Sequence, residues 1–254
     1  MHPARHAETT PDKPAIIVAE TGEAVSYAAL NRRSNQAAHW FRAEGLQPGD
    51  RVAFFMENTP DYFALVWGAQ RSGLLFVAIS SKLTAPEVDY ILADSGAQLL
   101  VASGALGAAA EALTAAVKRY SHGGAIAGFD AAEAALDRQP DAPIPDESAG
   151  TAMLYSSGTT GRPKGIRRPP PPDPAIDAPT PLTMIASLFF GLGPQTVYLS
   201  TAPLYHAAPL AWTMTVQMLG GTIVLMHHFE PEAALAAIER YRCNAGQFVP
   251  THFV

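Results

Sequence analysis

Ala152-Met-Leu-Tyr155 runs directly into Ser156-Ser157-Gly158-Thr159-Thr160-Gly161-Arg162-Pro163-Lys164-Gly165. The first four residues read as a short strand. The ten that follow hold three glycines and four hydroxyl residues, which is not a core composition. Glycines let a backbone turn tightly and bring its N–H groups close to an anion. The hydroxyls of Ser156, Ser157, Thr159 and Thr160 donate further hydrogen bonds, and Lys164 adds a point charge suited to phosphate oxygens. A strand followed by this composition predicts a phosphate cradle, with a flexible Ser/Gly loop as the lesser alternative. It is not a Walker A loop, because Lys164 follows Pro163 and the Gly-Lys-[Ser/Thr] step is missing. Gly191-Leu-Gly193-Pro-Gln-Thr196 is likewise no dinucleotide fingerprint, since its sixth position is Thr.

Outward from this segment, short apolar runs alternate with helix-like ones. Arg51–Met56, Leu74–Ser80, Gln98–Val101, Ala152–Tyr155, Thr196–Leu199, Thr222–Met226 and Gly246–Val249 are strand candidates. Between them, Tyr27–Glu44 places Leu30, Ser34, Ala37, Ala38 and Phe41 on one helical face, and Gly45 supplies a stop. Thr84-Ala-Pro-Glu87 has the form of a capping box, with Gly96 ending its helix. Glu232–Tyr241, after Pro231, is a further helix, and the alanine-rich Ala105–Ala116 reads as a surface helix. The β–α alternation predicts an α/β fold of mostly parallel strands. Eleven of the 22 prolines fall between Pro140 and Pro181. Those near 139–148 predict a linker between two subregions, and Pro169–Pro172 an exposed extended spacer.

The 254 residues carry 17 Lys plus Arg against 23 Asp plus Glu, a net charge of −6, with no basic stripe. Nucleic acid is therefore excluded as the expected partner. Cys243 is the single cysteine, so no internal disulfide can form, and a cytoplasmic setting is expected. The first residues, Met1-His-Pro-Ala-Arg-His-Ala-Glu8, hold no apolar run, so no secretory signal is expected. Between Asp177 and Glu230 there is no Asp, Glu, Lys or Arg. Prolines and glycines break that stretch, which reads as buried helices and strands of a soluble core, with a membrane span the lesser alternative. His227-His228 tempts as a metal pair, yet adjacent side chains at a strand end point to opposite faces, so a solvated strand end is the better reading. Cys243 reads as a buried small hydrophobe, and Trp212, Met214 and Met218 as core.

The loop from Tyr155 to Gly165 closely resembles the signature loop of the adenylate-forming enzymes, which include acyl-CoA synthetases, aryl-CoA ligases, luciferases and peptide-synthetase adenylation domains. Ser26-Tyr27-Ala-Ala-Leu30-Asn31, Leu46-Gln-Pro48-Gly49-Asp50-Arg51-Val52, Pro203-Leu204-Tyr205-His206-Ala207-Ala208-Pro209, Gly220-Gly221-Thr222 and Phe248-Val249-Pro250-Thr251 extend the resemblance over the whole chain. Arg167-Arg168-Pro and Tyr205-His206-Ala-Ala-Pro are similar to fatty acyl-CoA synthetases in particular.

The resemblance implies two steps: a carboxylate attacks the α-phosphate of ATP to give an acyl-adenylate and pyrophosphate, and the thiol of coenzyme A then displaces AMP. It implies that Ser156, Ser157, Gly158, Thr159, Thr160, Gly161 and Lys164 form the phosphate loop. It further implies that His206 lies beside the acyl-adenylate, positioning the carboxylate or gating the acyl pocket. ATP, Mg²⁺ and coenzyme A are the implied cofactors, and a small carboxylic acid the implied substrate. No metal ligand is expected among these residues. The Mg²⁺-linked glutamate, the ribose-binding aspartate and the C-terminal domain with its lysine are expected beyond Val254. The sequence is thus expected to form an incomplete N-terminal domain, inactive by itself, with a non-catalytic relic as the alternative.

Overall fold

The computed structural model describes residues 1–156, 163–166 and 173–253. The chain begins with α1 (Pro3–Thr9), β1 (Pro14–Val18), β2 (Ala24–Ser26), α2 (Tyr27–Ala43), β3 (Arg51–Phe55), α3 (Pro60–Arg71) and β4 (Leu75–Ala78). There follow α4 (Ala85–Ser95), β5 (Leu99–Ser103), α5 (Gly107–Glu111), β6 (Lys118–His122), β7 (Asp130–Ala131), α6 (Ala132–Asp137), β8 (Thr151–Ser156) and β9 (Lys164–Ile166). The last elements are α7 (Pro181–Phe190), β10 (Val197–Ser200), α8 (Ala207–Met218), β11 (Thr222–Leu225), α9 (Pro231–Tyr241) and β12 (Ala245–Gln247). The chain divides into two units: Met1–Arg32 with Asn58–Ala64 and Asp177–Val254, and Arg33–Glu57 with Leu65–Ile176.

In the second unit the described strands form a sheet of order β7-β6-β5-β3-β4-β8-β9, parallel throughout except that β9 runs antiparallel to β8. Its central strands are buried almost end to end; Val52–Phe55 and Leu99–Ala102 are fully inaccessible. Parallel strands covered on both faces need such unbroken apolar runs. Helix α4 starts as expected: the Glu87 carboxylate accepts from the Thr84 N–H at 2.8 Å and its hydroxyl at 2.7 Å. It ends at Gly96, whose φ of 68° suits glycine.

Ala105–Ala116 departs from the surface helix expected. It forms a 3-10 turn at Gly104–Leu106 and the short α5, while Ala110 and Leu113 pack into the core. The Asp89 carboxylate explains the early end, accepting from the N–H groups of Thr114 and Ala115 and the Thr114 hydroxyl. Those bonds draw the chain away from helical geometry. The proline-rich 139–148 segment runs within this unit and is bonded to α2. Asn35 Nδ2 donates to Asp141 O at 2.6 Å, His39 to Ala142 O at 3.0 Å, and Arg42 pairs with Asp146. The Pro169–Pro172 run lies outside the described residues.

In the first unit the order is β12-β10-β11-β1-β2, again parallel apart from β2. Helix α8 covers one face of this sheet, and its carbonyl end is clipped by the N-terminal segment. Tyr27 Oη donates to Gly221 O at 2.7 Å and Gln217 O at 3.2 Å, His6 Nε2 to Met218 O at 3.0 Å, and Lys13 Nζ to Gly220 O at 2.6 Å. These donors satisfy carbonyls that a helix end leaves open. The uncharged stretch Asp177–Glu230 divides in two. As expected, β10, β11 and most of α8 are buried. Helix α7 is instead exposed along Met184, Ile185, Leu188, Phe189 and Phe190, with Phe189 80% accessible. Among the described residues no helix is long and apolar enough to cross a membrane.

Candidate functional site

Strand β8 carries the loop that directs the sequence reading, and its path is fixed before it starts. Ser148 N donates to Arg71 O at 3.1 Å, Gly150 N to Gln70 O at 2.6 Å, and Thr151 N to Leu74 O at 3.1 Å. A side chain at Gly150 would bring its Cβ within 2.2 Å of Leu74 O, so only glycine fits. The Arg71 guanidinium, 1% exposed, reaches the Glu147 carboxylate at 2.6 Å and Ser34 Oγ at 2.8 Å.

β8 then changes partners along its length. Thr151, Ala152 and Met153 pair with β4, and Leu154, Tyr155 and Ser156 pair with Ile166, Gly165 and Lys164 of β9. Ser156 and Lys164 thus stand opposite each other in the antiparallel register. The strand is pinned from the side by Tyr155, whose hydroxyl donates to Asp94 Oδ2 at 2.6 Å. Burial, and then the neighbouring Asp94 carboxylate, raise the phenol pKa. A Cβ on Gly165 would meet Met153 Cε at 2.8 Å and the Tyr155 ring at 3.0 Å, so this glycine allows β9 to pack against Tyr155. Lys164 is exposed and extends from the hairpin's return strand. Ser157, Gly158, Thr159, Thr160 and Gly161 lie outside the described residues.

The profile of the AMP-binding enzyme family matches residues 3–254. The chain belongs to that family. It is 34% identical over 99% of its length to a feruloyl-CoA synthase of Amycolatopsis sp., covering 48% of that protein. It is 38% identical over 63% of its length to the fatty acid–[acyl-carrier-protein] ligase ScoC of Streptomyces coeruleorubidus, covering 31% of it. The N-terminal domain of FACL13 from Mycobacterium tuberculosis shares the fold, with a TM-score of 0.80, 24% identity, and coverage of 98% of this chain and 62% of that one. The chain therefore spans about half the length of the curated relatives it matches end to end. The α/β architecture and the resemblance to adenylate-forming enzymes both stand.

In this chain His206 belongs to the first unit, whereas Ser156 and Lys164 belong to the second. His206 is the N-cap of α8, with extended backbone (φ −84°, ψ 147°), and its side chain makes no capping bond. Its ring lies 4.6 Å from that of Tyr205. It is solvent-exposed on one side, and partial burial on the other lowers its pKa. The segment leading to it leaves the carboxyl end of β10, where parallel sheets present ligand sites. Asn58 holds that segment: Oδ1 accepts from Leu204 N at 2.8 Å, and Nδ2 donates to Met226 O at 3.0 Å and Ala202 O at 3.3 Å.

Sequence reasoning missed Asn58. The available signal was a polar residue in Met56-Glu-Asn58-Thr-Pro60, between a strand and a proline-started helix.

The lesser candidates sit as follows. His227 and His228 are exposed, and His227 Nδ1 donates to Asn58 O at 2.8 Å. Cys243 is half-buried and its pKa is raised to about 11 by burial. Met218 is buried, while Trp212 and Met214 are partly so, with Trp212 edge-on to Phe190 at 5.5 Å. Among the described residues no three His, Cys, Asp or Glu side chains converge.

Proposed function

We propose that the protein bearing this chain activates a carboxylic acid, of fatty or related type, with ATP and passes the acyl group to coenzyme A. The observation that carries the reading is the β8–β9 hairpin, which sets Ser156 opposite Lys164 across the glycine- and hydroxyl-rich loop, in a chain whose relatives include CoA ligases. A carboxylate oxygen bonds to the α-phosphorus as the bond to pyrophosphate breaks. The thiol sulfur of coenzyme A then bonds to the acyl carbon, AMP departs, and the thiol proton is released. Charge grows on the leaving pyrophosphate in the first step, and preorganised donors are what stabilise it. Ser156, Ser157, Gly158, Thr159, Thr160 and Gly161 supply those donors, Lys164 the positive charge, and His206 positions the substrate carboxylate. Mg²⁺ would neutralise further phosphate charge.

We read the chain as part of an N-terminal adenylation domain acting in the cytoplasm. The relatives are about twice this length, and a polypeptide of these 254 residues alone is expected to form no acyl-CoA. In the protein at its natural length, Lys164→Ala and Thr160→Ala are expected to lower pyrophosphate–ATP exchange about a hundredfold. Acyl transfer from preformed acyl-adenylate to coenzyme A should be retained. Exchange equal to wild type in both variants would overturn the loop assignment.

A further inference from the structure

Asn58 is 5% exposed, in the turn between β3 and α3. A buried amide costs free energy unless its groups are bonded, so its bonds say what it is for. They run to neither neighbouring element. One reaches Met226, at the end of β11, and two reach Ala202 and Leu204, on either side of Pro203. Pro203 O accepts from His206 N at 3.1 Å, and His206 O accepts from Leu210 N at 3.2 Å. A continuous chain of bonds therefore leads from the Asn58 amide through the Ala202–Leu204 backbone to the first turn of α8. The Asn58 carbonyl also holds His227 Nδ1.

This brace requires a donor and an acceptor in one planar group. Leucine fills a similar volume and offers neither, while aspartate keeps only the acceptor for Leu204 N. The His206 side chain makes no capping bond of its own, so its place follows from the path of the backbone that delivers it.

We propose that Asn58 is a positioning residue for acid activation: by fixing Ala202 and Leu204 it sets where the His206 ring stands at the N-terminus of α8. The proposal rests on the reading of His206 as the group that positions the substrate carboxylate. Displacing a positioned group by about 1 Å costs on the order of a hundredfold in rate.

The test is a double-mutant cycle of Asn58→Leu and His206→Ala in the protein at its natural length, read by pyrophosphate–ATP exchange with separate KM values for acid and ATP. In the wild-type background Asn58→Leu is expected to lower kcat/KM for the acid about tenfold to a hundredfold. The loss should show as a raised KM for the acid with the KM for ATP within about twofold, whereas a loss of folded protein would lower the apparent kcat and leave both KM values unchanged. In the His206→Ala background the same substitution should cost less than about threefold. Equal losses in both backgrounds, or a parallel rise in both KM values, would refute the positioning role while leaving His206 itself intact. A His206→Ala variant with wild-type exchange would instead remove the reading on which the proposal rests, and the proposal with it. If Asn58→Leu does not accumulate as folded protein, Asn58→Ala runs the same cycle and should show the same coupling to His206→Ala.

Discussion

Glu147→Ala should destabilise the second unit through a charge left behind. The Arg71 side chain is 1% exposed, and that of Glu147 is 23% exposed. Burial holds the Arg71 guanidinium pKa below its usual value, the Glu147 carboxylate opposes that shift, and the group stays charged. Removing one partner of a fully buried pair costs about 3–5 kcal/mol. Glu147 is partly reached by water, and Ser34 Oγ still accepts from Arg71, so about 2–3 kcal/mol is the expected cost here. At roughly 2–4 °C per kcal/mol, the midpoint of the transition that includes this unit should fall by about 4–12 °C.

Thermal unfolding of the protein at its natural length, followed by tryptophan fluorescence and repeated in urea, measures it. The companion variant Arg71→Met with Glu147→Gln removes the charge as well as its partner, and should recover more than half of the loss. The effect also bears on the site, because Glu147 lies immediately before the Ser148–Thr151 bonds that aim β8. Pyrophosphate–ATP exchange in Glu147→Ala should therefore decay at a lower temperature than in wild type. A Glu147→Ala midpoint within about 1 °C of wild type, or a double variant less stable than the single, would refute the reasoning.

His6 should make stability fall on acidification. Burial, opposed by its bond to Met218 O, lowers its folded pKa below the usual value of 6.5, so the unfolded chain takes up the proton first. Stability is then unaffected well above pH 6.5, declines as pH drops below it, and levels off under the folded pKa. Urea midpoints between pH 8 and 5 should show a slope that flattens in His6→Gln, and an unchanged slope would count against it. Cys243, with its pKa near 11 against an ordinary 9, should carry about a hundredfold less thiolate at pH 8 and react correspondingly slowly with a disulfide reagent. Labelling of the native protein at the rate of a free thiol would contradict that.

The central strands were legible because burial on two faces leaves an unmistakable run such as Arg51-Val-Ala-Phe-Phe55 or Leu99-Leu-Val-Ala-Ser103. The punctuation of α4 by Thr84, Glu87 and Gly96 was legible because capping is local chemistry. The glycine- and hydroxyl-rich run Ser156–Gly165 stood out by composition alone. Other parts escaped the sequence for physical reasons. Helix α3 is buried on nearly every side from Tyr62 to Arg71, so no polar face gives it a period. Strand β6, Lys-Arg-Tyr-Ser-His, has no apolar run and exists because β5 pairs with it while Lys118 and Tyr120 bond Glu44. Strand β9 spans only Lys164–Ile166 and forms because β8 has left β4 and needs a new partner.

Local composition thus determined the strand-and-helix alternation and the glycine- and hydroxyl-rich character of Ser156–Gly165. The three-way bonding of Asn58, the Arg71–Glu147 pair and the register that sets Ser156 against Lys164 were decided only by tertiary structure. Each joins groups far apart in sequence or depends on a strand changing neighbours, and no window along the chain holds both halves of such a contact.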